Sequence, residues 1–430
     1  MRKNLILDIT PLKNGYFQDG NRSGIFFAVK NILQELLLHD DITLYFNITR
    51  EQADDCFKAI YVLKQEFPQH ADFILSRLFC NSGIFSKLFD SVFALTEKHK
   101  RTFSRRLIRK IARISGRLSH SATWNIPENI AENAVFLSLM YAAPEHVKKV
   151  IEPSRRCTML YDTIPTIFPE YAEKQPVWYS TLTRELSARE NYLAISRSSS
   201  NDFKHLFPEI AGNDISVVYL AASEHFRRVS DQNILKNVRK KYGIPADKKI
   251  FFSHCSLVKH KNLNRLFAAF CKIRKELPDW VMIFSGSNAA QGMEPILEYA
   301  DKEGVPEEAF HFTGYVEDSD LPALYSIADL FCFVSLYEGF GLPVLEAMGC
   351  GTPCLVSRVS SIPEVAADAA FYVDPLDVDD IAEKMLYAAQ HEEQREKISA
   401  EGMEQAKKFS WNICCQEILK KVKNIASSVD

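Results

Sequence analysis

Two glutamates eight positions apart, Glu338 and Glu346, bracket the turn Gly339-Phe340-Gly341-Leu342-Pro343 within "FVSLYEGFGLPVLEAMGCGTP" (333–353). An ionised carboxylate only accepts hydrogen bonds, so its partners must be donors, and sugar hydroxyls are the obvious ones. Each such bond contributes about 1.5–3 kcal/mol when buried. Between the two acids the chain offers the opposite chemistry. Gly339 and Gly341 carry no side chain where a ligand would approach the backbone, and Pro343 suits the first turn of a helix. The N–H groups of Gly341, Leu342 and Val344 then form an anion site at the positive end of the helix dipole, which adds about 0.3–1 kcal/mol, or about 2 when sheltered. Acid, anion cradle and acid in that order suit a ligand with phosphate in its middle and polyols at both ends, which is a nucleotide diphosphate sugar. Taken singly, Glu346 also reads as a complement to its helix start and Glu338 as a solvated loop residue.

A diphosphate needs a cation as well. "HCSLVKHKNLNRL" places Lys259, His260, Lys261 and Arg265 just after a strand and at the start of a helix. Lys261, followed by Asn262 as a helix cap, is the expected phosphate contact; the other reading is an exposed surface lysine. Asp318-Ser319-Asp320 and Asp377-Val378-Asp379 resemble metal-binding strings, but both precede helices and read as caps. No metal and no cofactor are therefore expected, with Lys261 and backbone donors taking the leaving charge.

The elements that must position these groups alternate along the chain. At 430 residues the protein exceeds one ordinary core, and two domains are expected. "NLILDIT", "ITLYFNI", "NAVFLSLMY", "CTMLYDTIP", "NYLAISRSS" and "DISVVYLA" read as strands, and "IFFAVKNILQELLLH" has helical spacing. Residues 51–130 read as a largely helical, basic insertion. From "ILKNVRKKYG" onward, strands "KKIFFSHCS", "DWVMIFSG", "AFHFTGY", "DLFCFVS" and "TPCLVS" alternate with helices. The prediction is an α/β protein of two Rossmann-like, doubly wound parallel sheets, 1–230 and 231–410, with a last helix in 411–430. In such sheets ligands sit outside the carboxyl ends of the strands, so two halves facing one another enclose a cleft.

At these residues the sequence resembles a family 4 glycosyltransferase of the GT-B fold. "FTGYVEDSDLPALYSIADLF", "SLYEGFGLPVLEAMGCGTPCLVS" and "SSIPEVAADAAFYVDP" follow that family's C-terminal pattern, including the E-x7-E pair Glu338 and Glu346, and weaker similarity covers most of the chain. The resemblance implies that 231–410 binds the nucleotide sugar, that 1–230 binds the acceptor and that the last helix crosses back to the N-terminal domain. It assigns Glu346 to the ribose hydroxyls, Glu338 with Gly339, Phe340 and Gly341 to the transferred sugar, and Leu342 N–H with Lys261 to the phosphates. Tyr315 and Val316 fall in the turn that lines the base pocket. Ser256, Ser285 and Gly286 join the sugar-nucleotide set, as does Gly24 in "NRSGIFF". "LYDTIPTIFPEY" and "AISRSSSNDF" resemble acceptor-side segments, giving Asp162 and Ser196, with Asp162, Lys261 and Glu338 as the catalytic group. Three departures stand out. Tyr161 replaces a histidine, Ser256 an arginine, and Leu220-Ala221-Ala222-Ser223 the usual Asn-Gly-Val-Asp.

The implied activity is retaining hexosyl transfer, mannose favoured, from GDP-mannose, with a UDP-sugar as the other candidate, to a glycan or lipid-linked saccharide. No nucleophile is evident, so front-face attack is expected, with the leaving phosphate accepting the acceptor's proton. The rivals are a GT-B epimerase or phosphorylase-like enzyme, and a non-catalytic nucleotide-sugar-binding partner subunit. Trp411, in "FSWNICCQEILKKVKNIA", reads as core packing or as a sugar platform. A net charge of −3 excludes a global pull toward nucleic acid. The ten cysteines include no CxxC pair, so no zinc site or disulfide framework is expected. The N-terminus reads as a strand, no apolar run spans a bilayer, and a cytoplasmic setting is expected.

One segment points elsewhere. Residues 98–120 hold nine Lys/Arg and no acid, with Phe103, Leu107, Ile111, Ile114 and Leu118 at helical spacing. Such a helix either lies on an anionic membrane surface, here the inner face of the plasma membrane, or packs its apolar stripe in an ordinary way. The membrane reading predicts co-sedimentation with anionic vesicles that falls as salt is raised; no salt-sensitive binding removes it.

Overall fold

The computed structural model describes residues 3–15, 24–48, 55–78, 126–169, 176–255, 258–286 and 294–428. The basic segment 98–120, and with it most of the expected insertion, lies outside the described residues, as does Ser256. Two six-stranded parallel sheets make up the frame. The first contains β1 (Lys3–Asp8), β2 (Ile42–Asn47), β3 (Ala134–Ser138), β4 (Arg156–Leu160), β5 (Asn191–Ala194) and β6 (Ile215–Val217), ordered β2-β1-β3-β4-β5-β6. The second contains β7 (Lys249–His254), β8 (Trp280–Ser285), β9 (Phe310–Gly314), β10 (Leu330–Phe333), β11 (Cys354–Ser357) and β12 (Phe371–Val373), ordered β12-β11-β10-β7-β8-β9.

Strand burial explains why the apolar runs form parallel sheets. Leu5, Ile6 and Leu7 in β1, and every residue of β3, β8 and β10, are buried, because helices cover both faces. β12 had no counterpart in the sequence reading. Its three residues are too few to show a period, and pairing with β11 defines it. The second order has its switch point between β7 and β10, where chain progression reverses. A crevice opens there at the strands' carboxyl ends.

Two local expectations changed. Asn262 sits at the N-cap position with φ 60°, yet its side chain does not cap the helix Leu263–Ile273. Its amide instead donates to the carbonyls of Val334 (3.0 Å) and Pro375 (2.7 Å), tying the β7 loop to the end of β10. Asp377 caps its helix through the N–H groups of Asp379 and Asp380, but Asp320 does not cap. The Asp320 carboxylate pairs with Lys241 (2.5 Å) and Tyr242 (2.8 Å), because the helix Gln232–Lys241 brings those donors alongside.

The chain passes between the sheets twice. Residues 218–231 lead into the second sheet, and the helix Trp411–Ser427 returns to pack on β1, β3 and the helix Gly24–Leu36. Cys414, Cys415, Ile418, Leu419, Val422 and Ile425 recur at helical spacing on its buried face. Among the described residues no helix is long and apolar enough to cross a membrane. The first connection is closely packed: a Cβ on Gly349 would lie 2.6 Å from the backbone oxygen of Phe226. Gly349→Ala should therefore destabilise the protein by about 1–3 kcal/mol, read as a lower Tm. An unchanged Tm would show that this connection yields freely.

Candidate active site

The cleft between the sheets encloses about 660 Å³ and takes its walls from both. Lys261 follows β7 and Glu338 follows β10, so the two strands flanking the switch point deliver a cation and an acid to one place. They form an ion pair: Lys261 Nζ lies 2.7 Å from Oε1 and 2.9 Å from Oε2 of Glu338. Burial pulls the ammonium's pKa down, but the surrounding groups, Glu338 foremost with Asp162 adding to it, together outweigh burial and the net shift is upward. Lys261 is thus not a free surface lysine, and Glu338, 7% exposed, is not a solvated loop residue.

The loop after Glu338 is fastened on all sides. Its N–H donates to Ser360 Oγ (2.9 Å), and Ser361 Oγ lies 2.9 and 2.8 Å from the carbonyl oxygens of Glu338 and Phe340. Gly341 holds φ 113°, a left-handed conformation that favours glycine, and opens the helix Leu342–Gly349 with Pro343 in its first turn. The N–H of Val344, expected in the anion cradle, instead bonds back to the Gly341 carbonyl at 3.0 Å. Those of Gly341 and Leu342 have no partner among the described residues. A Cβ on Gly339 would lie 2.9 Å from Asp162 Cβ and 3.1 Å from the Tyr161 carbonyl, so the first domain reaches the loop directly.

Glu346 is one helical turn further on and accepts from Tyr325 Oη at 3.0 Å. It opens onto the cleft but is otherwise surrounded by protein, which pushes its pKa up to about 7. Asp162 lies two residues beyond β4 and accepts from Ile164 N–H (3.0 Å). Burial raises its pKa to about 6, with Glu338 adding to the rise and Lys261 opposing it. Four acids, Asp162, Asp318, Glu338 and Glu346, therefore share the cleft with the cation Lys261. Gly24, Gly286, Tyr315, Val316 and Phe340 line it too, and a Cβ on Gly24 would approach Leu342 Cδ1 across the cleft at 3.5 Å.

Two nominated residues stand behind the wall. Ser196, expected among acceptor contacts, is fully buried; its hydroxyl caps the helix Arg197–Leu206 through Ser199 N–H and donates to the Gly339 carbonyl at 2.8 Å. Ser285 is buried and bonded to His254 Nδ1 at 2.7 Å. His254 does line the cleft, and burial, with Lys261 nearby, lowers its pKa to about 4. Neither His254, Tyr325 nor the Ser360-Ser361 pair was singled out from the sequence, although both serines lie in a matched segment. Trp411 is 6% exposed within the main core yet touches the cleft, and its indole Nε1 and the phenol of Tyr161 are buried without partners among the described residues.

Two Rossmann-like units facing across such a cleft are the GT-B arrangement of glycosyltransferases. Residues 236–405 match the family model "Glycosyl transferases group 1". The chain is 32% identical over 268 residues to the O-antigen chain mannosyltransferase B of Escherichia coli, covering 62% of this chain and 69% of that protein. It is 31% identical over 266 residues to the serotype-specific mannosyltransferase WbdA of Escherichia coli, 60% of this chain but only 32% of that relative. Its fold superposes on a glycosyltransferase from Rickettsia africae ESF-5 with a TM-score of 0.63 at 15% identity, covering 99% and 98% of the two chains. The chain belongs to the group 1 glycosyltransferases.

Burial disfavours the charged form of Glu346, so its cost is absent below the ordinary carboxylate range, grows between that range and about pH 7, and is constant above it. Glu346→Gln should be about as stable as the wild type at pH 4 and more stable at pH 8, by about 3 kcal/mol. Equal Tm differences at both pH values would contradict this.

Proposed function

We propose that this enzyme moves a hexose, mannose favoured, from a nucleotide diphosphate sugar to a glycan or lipid-linked saccharide, with retention of anomeric configuration and without a metal ion. The observation that carries the proposal is the row formed by Glu338, the unpaired N–H groups of Gly341 and Leu342, and Glu346 at the second sheet's switch point. That row supports a donor lying along the helix start, with diphosphate on the N–H groups, sugar hydroxyls toward Glu338 and ribose hydroxyls toward Glu346. Two relatives named as mannosyltransferases favour mannose; GDP-mannose is the carrier we propose for it.

Before the donor binds, the Lys261–Glu338 pair is neutral overall, so the cradle is not strongly repulsive to an anion. Lys261 is close enough to the loop to share its charge with the diphosphate as the glycosidic bond breaks. Asp162 faces Gly339 from the first domain and so stands on the acceptor side. In the proposed front-face step the anomeric carbon–phosphate oxygen bond breaks on the face where the acceptor oxygen bonds to that carbon. The acceptor's proton passes to the leaving phosphate oxygen, which balances the step without a protein nucleophile.

Wild-type protein given GDP-mannose and a mannose disaccharide should release GDP and extend the disaccharide. Glu338→Ala and Glu346→Ala should each reduce that turnover by about 100-fold, about 2.7 kcal/mol of transition-state stabilisation. Folded variants with full turnover would overturn the site assignment. Thermal stabilisation by a UDP-sugar but not by GDP-mannose would overturn the donor.

A further inference from the structure

The helix Arg197–Leu206 lies in the first domain, yet its start is completed from the second. Among the described residues Ser196 Oγ accepts one backbone N–H of this helix, that of Ser199. The N–H groups of Arg197 and Ser198, in the first turn, have no acceptor within their own helix. Each donates at 2.8 Å to one oxygen of Glu364, which belongs to the helix Ile362–Ala366 of the second domain. Tyr219, in the 218–231 connection, donates to the same carboxylate at 2.9 Å. A second contact parallels the first: Tyr337 Oη, one residue before Glu338, donates to Asp202 on the helix Arg197–Leu206 at 2.6 Å. Between the two, Ser196 and Ser199 hydroxyls lie 2.8 and 3.2 Å from the Gly339 carbonyl.

We propose that Glu364 and Tyr337 are positioning residues, the two jaws of an interdomain clasp that presses the loop 338–341 against Asp162. Neither lines the cleft, and neither do Asp202, Ser196 or Tyr219, so none acts by touching a ligand within it. Their effect runs through Gly339, whose close approach to Asp162 sets the separation of the two catalytic walls. Carboxylate-to-N–H bonds at a helix start are charge-assisted. On opening, water replaces the partners on both sides, so the net stabilisation is modest and the clasp can release and re-form in each turnover.

Hydrogen–deuterium exchange resolved to single amides tests the clasp without a substrate. In the wild type the amides of Arg197 and Ser198 should exchange slowly. Glu364→Ala should speed both at least 10-fold and leave Ser199 unchanged, because its acceptor is in the same domain. Glu364→Gln, which keeps the volume but only one acceptor, should fall between. The radius of gyration in solution should rise in Glu364→Ala/Tyr337→Phe. The kinetic arm rests on the transfer reaction proposed above: kcat with GDP-mannose should fall about 10-fold while the Kd for GDP stays within 3-fold. Fast exchange of both amides in the wild type, or unchanged kcat in a variant whose amides are exposed, would overturn the clasp. A wild type inert toward GDP-mannose would instead end the donor assignment, and exchange and scattering would still decide the clasp.

Discussion

The buried pair between Lys261 and Glu338 is the contact on which the site is organised. It joins the chain after β7 to the chain after β10, the two strands between which the second sheet reverses direction. Burying either charge alone would cost several kcal/mol, so each residue requires the other. That requirement draws together two segments 77 positions apart in sequence. It also leaves the loop beyond Glu338 in a fixed place, with Asn262 tying the same two segments through the Val334 carbonyl.

From that anchor the polar groups of the cleft separate into different roles. Gly341 and Leu342 present N–H groups because Gly341 adopts a conformation that delays the start of the helix. Glu346 is carried one turn along the same helix and held by Tyr325, a fully buried side chain that itself packs edge-on to Phe252 and Phe331. Asp162 comes from the other sheet, and its raised pKa follows from being enclosed by the same protein that excludes water from the loop. The acids gathered at this loop are tolerated because the ion pair cancels Glu338 and burial makes Asp162 and Glu346 reluctant to ionise.

The C-terminal half was the more legible part of the chain. All its strands but β12 are apolar runs of four to six residues, and helices such as Leu263–Ile273 have a clear apolar period. Glu338, Gly341 and Glu346 stand close together in sequence, so their chemistry could be read as one motif. The N-terminal half was readable in its strands but less so in its site residues. Asp162 and Gly24 carry little local signal, and resemblance, not residue chemistry, singled them out. Ser196 shows the limit of that approach: a serine in a matched segment serves here as a helix cap and loop support, a use that depends on where the second domain places Gly339.

What the sequence determined alone was whatever depends on neighbours along the chain: the alternation of strand and helix, the turn of Gly339 to Pro343, and the two acids that flank it. Tertiary structure decided whatever depends on partners far apart in sequence. It matched Lys261 to Glu338, gave Glu346 its tyrosine, drew the Val344 N–H out of the cradle, and completed the helix start at Arg197 with a carboxylate from the other domain. The division has one physical cause. Local backbone preference is encoded residue by residue, whereas the pairing of a buried charge or an orphan N–H is settled only when the sheets have formed and few alternatives remain.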